Sequence, residues 1–144
     1  MPFLQHWMPV SAWESLPVED RAGTSPQQLA AGAAQLLQIV LAGPQPGLSL
    51  VADLGGMPVG YLLCVPGPDS TTGEPNAYMI DLFVVPPLRR RGVARALQEG
   101  VLQLCAASGL RKAKMWTGLH NRGAVEVARA CGFQPEGLIG VKEW

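Results

Sequence analysis

The sequence predicts an α/β fold with one mixed sheet, and three features carry this prediction. In the first half, two apolar runs joined by Leu-Gly-Gly-Met at 54–57 indicate an antiparallel hairpin. In the second half, strand-length apolar runs alternate with helical patterns, an order that calls for parallel pairing and right-handed crossovers. Between the halves, an apolar run ends at Pro86-Pro87 and leads through three arginines into a helical pattern.

Length and composition narrow the possible functions. The 144 residues fit a single domain spanning 1–144, and a chain of this length buries about two-thirds of its unfolded surface, so it needs no disulfide or metal. Eleven basic residues balance eleven acidic ones, so neither nucleic acid nor a membrane is indicated as a partner. The three cysteines lie among apolar neighbours, and neither a secretion signal nor a membrane-length apolar run is apparent. We therefore expect free thiols and a cytoplasmic protein.

The N-terminal half is predicted to form a strand, a helix and the hairpin. The apolar stretch Phe3–Val10 predicts a short first strand, which Pro2 and Pro9 confine to a sheet edge or a brief pairing. Thr24 or Ser25 before Pro26 makes a good helix start, because a hydroxyl caps free N–H groups and proline fits the first turn. Apolar residues then recur at helical spacing as far as Gly43. The hairpin strands are predicted at Leu48–Asp53 and Pro58–Val65.

The C-terminal half is predicted to alternate strands and helices. Large apolar residues mark a central strand, and the pattern after the arginines places Val93, Leu97 and Val101 on one helical face. Glycines follow both helical patterns, as they commonly do at helix C-termini. The predicted strands are Ala77–Val85, Lys112–Thr117 and Leu138–Trp144, and the predicted helices are Arg91–Ser108 and Asn121–Cys131.

The turn after the central strand is a candidate anion site. The first N–H groups of a helix have no intrahelical partner and lie at the positive end of its dipole, so they attract anions. A basic turn is often only a solvated loop, but this one follows a strand directly, lacks an acidic residue and places small residues at Gly92 and Ala94. The usual nucleotide-binding loops do not fit, since neither their P-loop nor their dinucleotide glycine pattern is present.

Two motifs in this half resemble one protein family. Arg89–Ala94 matches Arg-x-x-Gly-x-Ala and follows Val84-Val85-Pro86, which resembles the acyl-CoA pyrophosphate loop of the GCN5-related N-acetyltransferases, or GNAT family. Ala77–Val84 is similar to the fourth strand of that family, and Asn121–Ala124 followed by Cys131–Phe133 is similar to its later Asn-x-x-Ala to Gly-Phe helix. The resemblance covers about residues 77–133, and the first 76 residues agree with it only in element order.

The resemblance implies the GNAT acyl-CoA N-acyltransferase fold, a mostly antiparallel mixed sheet with a splayed parallel pair at its centre and flanking helices. In this family, open backbone groups of the splayed strand bind the pantetheine arm of acetyl-CoA as an added strand would. Those groups belong here to Phe83, Val84 and Val85. Asn121 would touch the pantetheine or thioester region, and Ala124 would leave room for the cofactor. N–H and guanidinium groups of the turn would hold the pyrophosphate, from Arg89, Arg90, Arg91, Gly92, Val93, Ala94 and Arg95.

The implied reaction is direct attack of a substrate amine on the acetyl-CoA thioester, with the Val84 N–H as donor to the oxyanion. Many members of the family carry a tyrosine acid where this chain has Ala128, and a glutamate base where it has Ile80. Asp81 is the nearest replacement carboxylate, and Tyr78 shares the face of Ile80 by strand alternation. Asp81 and Tyr78 are therefore the candidate catalytic residues, with a bonded structural carboxylate and a packing aromatic as the alternative interpretations.

Several aspects of the function stay open at this point. The acceptor is a primary amine on a small molecule, a peptide or a protein. Because the usual acid and base positions are altered, a catalytically silent acyl-CoA-binding module with a regulatory or structural role is the alternative to an enzyme. A nucleic-acid binder that uses the arginines is disfavoured by the neutral net charge. The last predicted strand can complete the sheet of its own chain or of a partner, so a weak homodimer is expected.

Overall fold

The computed structural model of the chain describes residues 2–43, 46–137 and 142. Five helices and four strands lie in these ranges, together with short 3₁₀ turns at Pro46–Leu48 and Pro86–Leu88. The predicted last strand, Leu138–Trp144, falls outside the described residues except at position 142. The elements are α1 (Pro2–Ser15), α2 (Val18–Arg21), α3 (Pro26–Ala42), β1 (Leu50–Leu54), β2 (Met57–Pro68), β3 (Pro75–Val84), α4 (Val93–Ala107), β4 (Ala113–Met115) and α5 (Arg122–Ala130).

The four strands form one mixed sheet in the order β1-β2-β3-β4. β1 pairs with β2 and β2 with β3 in antiparallel fashion, whereas β3 and β4 are parallel. The mixed sheet, the hairpin and the parallel pair predicted from the sequence are therefore confirmed. Because the parallel pair is joined through α4, this helix covers one face of the sheet.

Each face of the sheet carries its own hydrophobic cluster. Leu62, Met79 and Val84 point toward α4, where they pack against Leu97 and Val101. The other face packs against α1 and α3, whose buried residues meet two aromatic rings of the sheet, Tyr61 and Phe83. Strand alternation explains why neighbouring residues of β2 and β3 belong to different clusters.

The prediction of a first strand at Phe3–Val10 is wrong, because this segment lies within the helix α1. Its buried residues are Leu4, Met8 and Ser11, spaced by four and three as one helical face requires. Packing of this face on the sheet outweighs the cost of Pro9, which lacks an N–H for the helical ladder. The same apolar residues are therefore used with a period near 3.6 instead of 2.

The start of α3 agrees with the sequence prediction. Ser25 caps the helix by accepting a hydrogen bond from the Gln28 N–H, and the Gln28 side chain accepts one from the Ser25 N–H. Pro26 occupies the first turn, where its missing N–H costs nothing. This reciprocal capping box satisfies backbone donors that would otherwise stay unpaired.

A buried carboxylate ties the loop after β2 to β4. Asp69 Oδ1 accepts hydrogen bonds from the N–H groups of Thr71 and Thr72, at 2.9 and 3.0 Å. Its Oδ2 accepts from Asn76 Nδ2 at 3.1 Å and from Lys114 Nζ at 2.9 Å. The bond from Lys114, followed by those from the backbone, holds the pKa of Asp69 well below its usual range.

We expect Asp69→Asn to lower the melting temperature at neutral pH, because the neutral carboxamide cannot form an ion pair with the Lys114 ammonium. The pKa of Asp69 is lowered in the folded protein, so its stabilisation is present above the unfolded pKa of about 4 and is lost as the pH falls below it. The measurement is the melting temperature of both proteins from acidic to neutral pH. A difference between them that does not shrink in acid would contradict this account.

Candidate active site

A cleft opens where the parallel strands separate. β3 and β4 pair over only three residues each, ending at Met79 and Met115, after which β3 continues to Val84 paired only with β2. We call this point of separation the fork. The cleft beyond it has a volume of about 130 Å³ and is lined on one side by residues 80–82 and on the other by residues 116–118. A larger hollow of about 460 Å³ beside Lys112 and Phe133 lacks diverging strands, and we assign it no function.

A β-bulge in β3 shapes the cleft. Asp81 lies opposite Leu63 and Met79 lies opposite Cys64, so Ile80 is an extra residue in β3. The bulge turns Met79 toward α4 and Asp81 toward α1, although simple alternation would put them on one face. The prediction that Tyr78 and Ile80 share a face ignored this extra residue. Bulges often lie next to active sites because they redirect a side chain in this way.

Asp81 lines the cleft and is held by two hydroxyl groups. Ser11 Oγ of α1 donates to Asp81 Oδ1 at 2.6 Å, and the Tyr61 hydroxyl of β2 donates to Oδ2 at 2.7 Å. Burial raises the pKa of the Asp81 carboxyl, and these two hydrogen bonds oppose part of that rise. Each carboxylate oxygen keeps a second acceptor position, so the group can still accept a proton from a ligand.

Tyr61 is fully buried beneath this carboxylate. Burial, followed by the nearby charge of Asp81, raises the pKa of the Tyr61 hydroxyl far above its usual range. The raised pKa favours the protonated hydroxyl, which is the form that donates to Asp81.

Tyr78, the second predicted catalytic residue, does not line the cleft. Its hydroxyl donates to the Pro68 carbonyl oxygen at 2.8 Å, opposite Pro75 at the start of β3, and Tyr78 is not among the residues that line the cleft. The structure thus does not bring Tyr78 and Asp81 together. A catalytic Tyr78 stays a prediction, and this geometry favours the structural interpretation.

The backbone of β3 offers fewer open groups than expected. The Val85 N–H donates to the Val59 carbonyl at 3.0 Å, and the Val85 carbonyl accepts from the Leu88 N–H at 3.0 Å. Both groups of Val85 are therefore used within the protein, and the expectation that they are open is wrong. By antiparallel alternation, Phe83 also faces β2, whereas the Val84 N–H points away from β2, on the edge of β3 that β4 leaves unpaired.

The turn that begins α4 has the features of an anion site. Gly92 is the N-cap residue with φ of 84°, and no side chain caps the helix. Arg90 also has a positive φ, 61°, a conformation that non-glycine residues rarely adopt and that is concentrated at functional sites. By contrast, α3 is capped by Ser25 and α5 by Asn121. The first N–H groups of α4, from Val93, Ala94 and Arg95, are thus left for an external partner.

The arginines of the turn divide into two groups. Arg89 Nε donates to the Val84 carbonyl at 2.9 Å, its guanidinium pairs with Glu14 at 2.8 Å, and it lies over the ring of Phe83. These contacts give Arg89 a structural role between α1 and β3. Within residues 2–43 and 46–137, neither Arg90 nor Arg91 has an ion-pair partner, and both are exposed beside Gly92.

Comparison with known proteins gives the family. The model of the acetyltransferase (GNAT) family matches residues 10–133. The chain belongs to the GNAT family of acetyltransferases. It is 30% identical over 95 residues to an uncharacterized N-acetyltransferase of Methanocaldococcus jannaschii and 34% identical over 96 residues to N-acetyltransferase 8 of Mus musculus. Each alignment covers 65% of this chain but only 41% and 42% of the relative, so the chain spans less than half the length of these proteins.

Solved structures give the same fold. The aminoglycoside N-acetyltransferase AAC(6')-Iy in complex with CoA is 22% identical, with a TM-score of 0.67 over 99% of this chain and 89% of that one. Among the helices in the described ranges, none has the length and apolar character that crossing a bilayer requires.

Two further predicted residues of this GNAT chain lie at the cleft. Asn121 Oδ1 accepts from the Ala124 N–H at 3.2 Å and so caps α5, and both residues line the cleft. The cap uses only the side-chain oxygen, which leaves the Nδ2 hydrogens as donors. Both residues thus lie at the cleft where the resemblance predicts the pantetheine arm.

Three residues at the site were missed by sequence reasoning, namely Ser11, Tyr61 and Gln98. Ser11 was expected after a strand, and Tyr61 reads as one more apolar residue of a hairpin strand. Both reach Asp81 from elements far away in the chain, so no local pattern reports them. Gln98 is the polar exception on the buried face of α4, and that exception was the available signal.

Proposed function

We propose that the protein is an N-acetyltransferase that transfers the acetyl group of acetyl-CoA to a primary amine by direct attack. One observation carries the proposal: β3 leads into an uncapped helix N-terminus, and the same strand presents to the cleft a partly buried carboxylate held by two hydroxyls. The first is suited to a pyrophosphate and the second to an amine proton. Membership of the GNAT family supports the same reaction class.

The cofactor would enter along β3 with its pyrophosphate at the start of α4. The N–H groups of the first turn and the exposed guanidinium groups of Arg90 and Arg91 supply donors of suitable charge for that anion. The Val84 N–H lies on the edge of β3 that β4 leaves unpaired and would donate to the thioester carbonyl oxygen, stabilising the charge that develops on it. Asn121 and Ala124 would border the pantetheine arm on the side of α5.

Asp81 would act as the general base. The amine nitrogen attacks the thioester carbonyl carbon, the new C–N bond forms as the C–S bond breaks, and the proton of the amine passes to the carboxylate. A pKa raised by burial makes Asp81 a better proton acceptor than an exposed aspartate. The CoA thiolate leaves and takes its proton from water, since Asp81 is the only titratable side chain among the described residues that line the cleft.

The acceptor would reach Asp81 through a partly apolar opening. Ile80 and Trp116 are both exposed there, and Ser15 of α1 adds a hydroxyl. Such an opening suits an amine carried on an apolar or aromatic group as well as a peptide amine. Aminoglycosides are the substrates named for the structural relative AAC(6')-Iy, and they are the first compounds to screen.

Acetyl-CoA should raise the melting temperature of the protein in proportion to the logarithm of its concentration, because a ligand that binds only the folded state stabilises it. Release of free thiol should then depend on the added amine, tested with polyamines, aminoglycosides, amino acids and peptides. Binding without amine-dependent thiol release would favour the silent acyl-CoA-binding module, which the alanine at position 128 makes the second candidate. No thermal shift at millimolar acetyl-CoA would contradict both.

A further inference from the structure

A buried polar group without a hydrogen-bond partner lies in the lining of the cleft. Gln98 of α4 is fully buried, and its Oε1 is the one buried side-chain polar atom that lacks a hydrogen bond within residues 2–43 and 46–137. Its Nε2 contacts only thioether sulfurs, Met115 Sδ at 3.4 Å and Met79 Sδ at 3.9 Å. Turning the carboxamide over gives no better arrangement, because a thioether offers no proton to an oxygen.

The Gln98 carboxamide lies where β3 and β4 separate. Met79 and Met115 are the last residues paired between β3 and β4, so the carboxamide lies directly under the fork. Gln98 is also one of the residues that line the cleft. It lies five residues after the first residue of α4, about 7.5 Å along the helix axis from the proposed pyrophosphate site.

An unpaired carboxamide in an apolar core destabilises a protein, so its presence requires an explanation. The other residues on the buried face of α4 are Leu97, Val101 and Cys105, and a leucine at position 98 would suit this packing better. The two methionines that cover the carboxamide have flexible side chains that can move aside for a ligand. These features indicate a group kept for a ligand that is not part of the chain.

We propose that Gln98 is a cofactor-binding residue that hydrogen-bonds the acyl-pantetheine part of acetyl-CoA. This inference rests on the proposed function, and it adds a side-chain contact to the backbone contacts proposed along β3. A carboxamide offers one acceptor and two donors, and the arm offers secondary-amide N–H groups and carbonyl oxygens that match them. The ADP part of the cofactor would lie at the start of α4 and make no contact with Gln98.

The test compares two ligands in one variant, Gln98→Leu. We expect the affinity for acetyl-CoA to fall about tenfold, as loss of a buried hydrogen bond implies, while the affinity for ADP stays unchanged. We expect the melting temperature of the unliganded protein to rise, since a leucine leaves no buried polar group unpaired. Calorimetry measures the two affinities and scanning fluorimetry the melting temperature.

Two companion variants make the test decisive. Gln103→Leu changes an exposed glutamine on the same helix and should alter neither affinity. Gln98→Met fills a similar volume with a flexible side chain. It should therefore show the same loss of affinity for acetyl-CoA even if leucine packs badly at this position. Wild-type affinity of both Gln98→Leu and Gln98→Met for acetyl-CoA, or an equal loss of affinity for ADP, would overturn the inference alone. Failure of the wild-type protein to bind acetyl-CoA would overturn the proposed function as well.

Discussion

Asp81→Asn should lower the turnover number at least about 100-fold and leave the affinity for acetyl-CoA unchanged. The carboxamide keeps the shape of the side chain, and the hydroxyls of Ser11 and Tyr61 can rotate to bond with it. It cannot accept the amine proton, and loss of a general base costs on the order of 100-fold to 10,000-fold in rate. Steady-state kinetics with the best amine of the panel and calorimetry with acetyl-CoA measure the two quantities.

The same variant has a second signature in stability. The folded-state pKa of Asp81 is raised, so its favourable contribution is complete below the unfolded pKa of about 4 and is lost as the pH rises through the folded value. The melting temperature of Asp81→Asn should therefore rise relative to that of the wild type as the pH increases from acidic to neutral. Full activity of Asp81→Asn would rule out Asp81 as the base.

A matched control is available for this experiment. Asp53 is an exposed carboxylate of the hairpin, where its Oδ1 accepts a hydrogen bond from the Gly56 N–H at 2.7 Å. Asp53→Asn makes the same chemical change far from the cleft, and we expect it to keep wild-type turnover. A comparable loss of activity in both variants would mean that the loss reflects a smaller fraction of correctly folded protein and not removal of the general base.

Gly92→Val should weaken acetyl-CoA binding by at least about tenfold. A Cβ at Gly92 would meet nothing within 4 Å, so the added side chain would enter the open space in which the pyrophosphate is proposed to lie. The φ of 84° would also strain a valine by roughly 1–2 kcal/mol and disturb the first turn of α4. The affinity is measured by calorimetry and the strain by the melting temperature.

Gly73→Val is a control that distinguishes the effect of backbone strain from the loss of acetyl-CoA binding. Gly73 has a φ of 70°, and a Cβ there also meets nothing within 4 Å, so the substitution imposes a similar strain in a loop away from the fork. Both variants should lose a similar amount of melting temperature, but only Gly92→Val should lose affinity for acetyl-CoA. Equal affinity of the two variants would contradict an anion site at the start of α4.

The elements predicted correctly from the sequence are those fixed by neighbours in the chain. The helix α3 has a strong apolar period and its own capping residues, and the hairpin has glycines at its turn. The segment of α1 at Phe3–Val10 reads as a strand in the sequence because its eight apolar and polar residues, with Pro2 before them and Pro9 among them, carry no clear period. Its conformation depends on packing against Tyr61 and Phe83, which lie far away in the chain.

The candidate site also combines features set by the local sequence with features set by contacts between distant segments. The turn at Arg90–Gly92 is a local pattern, and its unusual backbone angles agree with the predicted anion site. The bulge at Ile80 and the bonds from Ser11 and Tyr61 to Asp81 arise from pairing and packing between distant segments. The sequence could name Asp81 as the nearest carboxylate, but it could not report the groups that hold it.

The most direct test of the account is mass spectrometry of an amine panel incubated with acetyl-CoA and the purified protein. The account predicts an N-acetylated amine formed together with an equal amount of CoA, and far less of both with Asp81→Asn. Acetyl-CoA that binds but yields no acetylated amine, with CoA appearing equally fast in the presence and absence of amines, would contradict it.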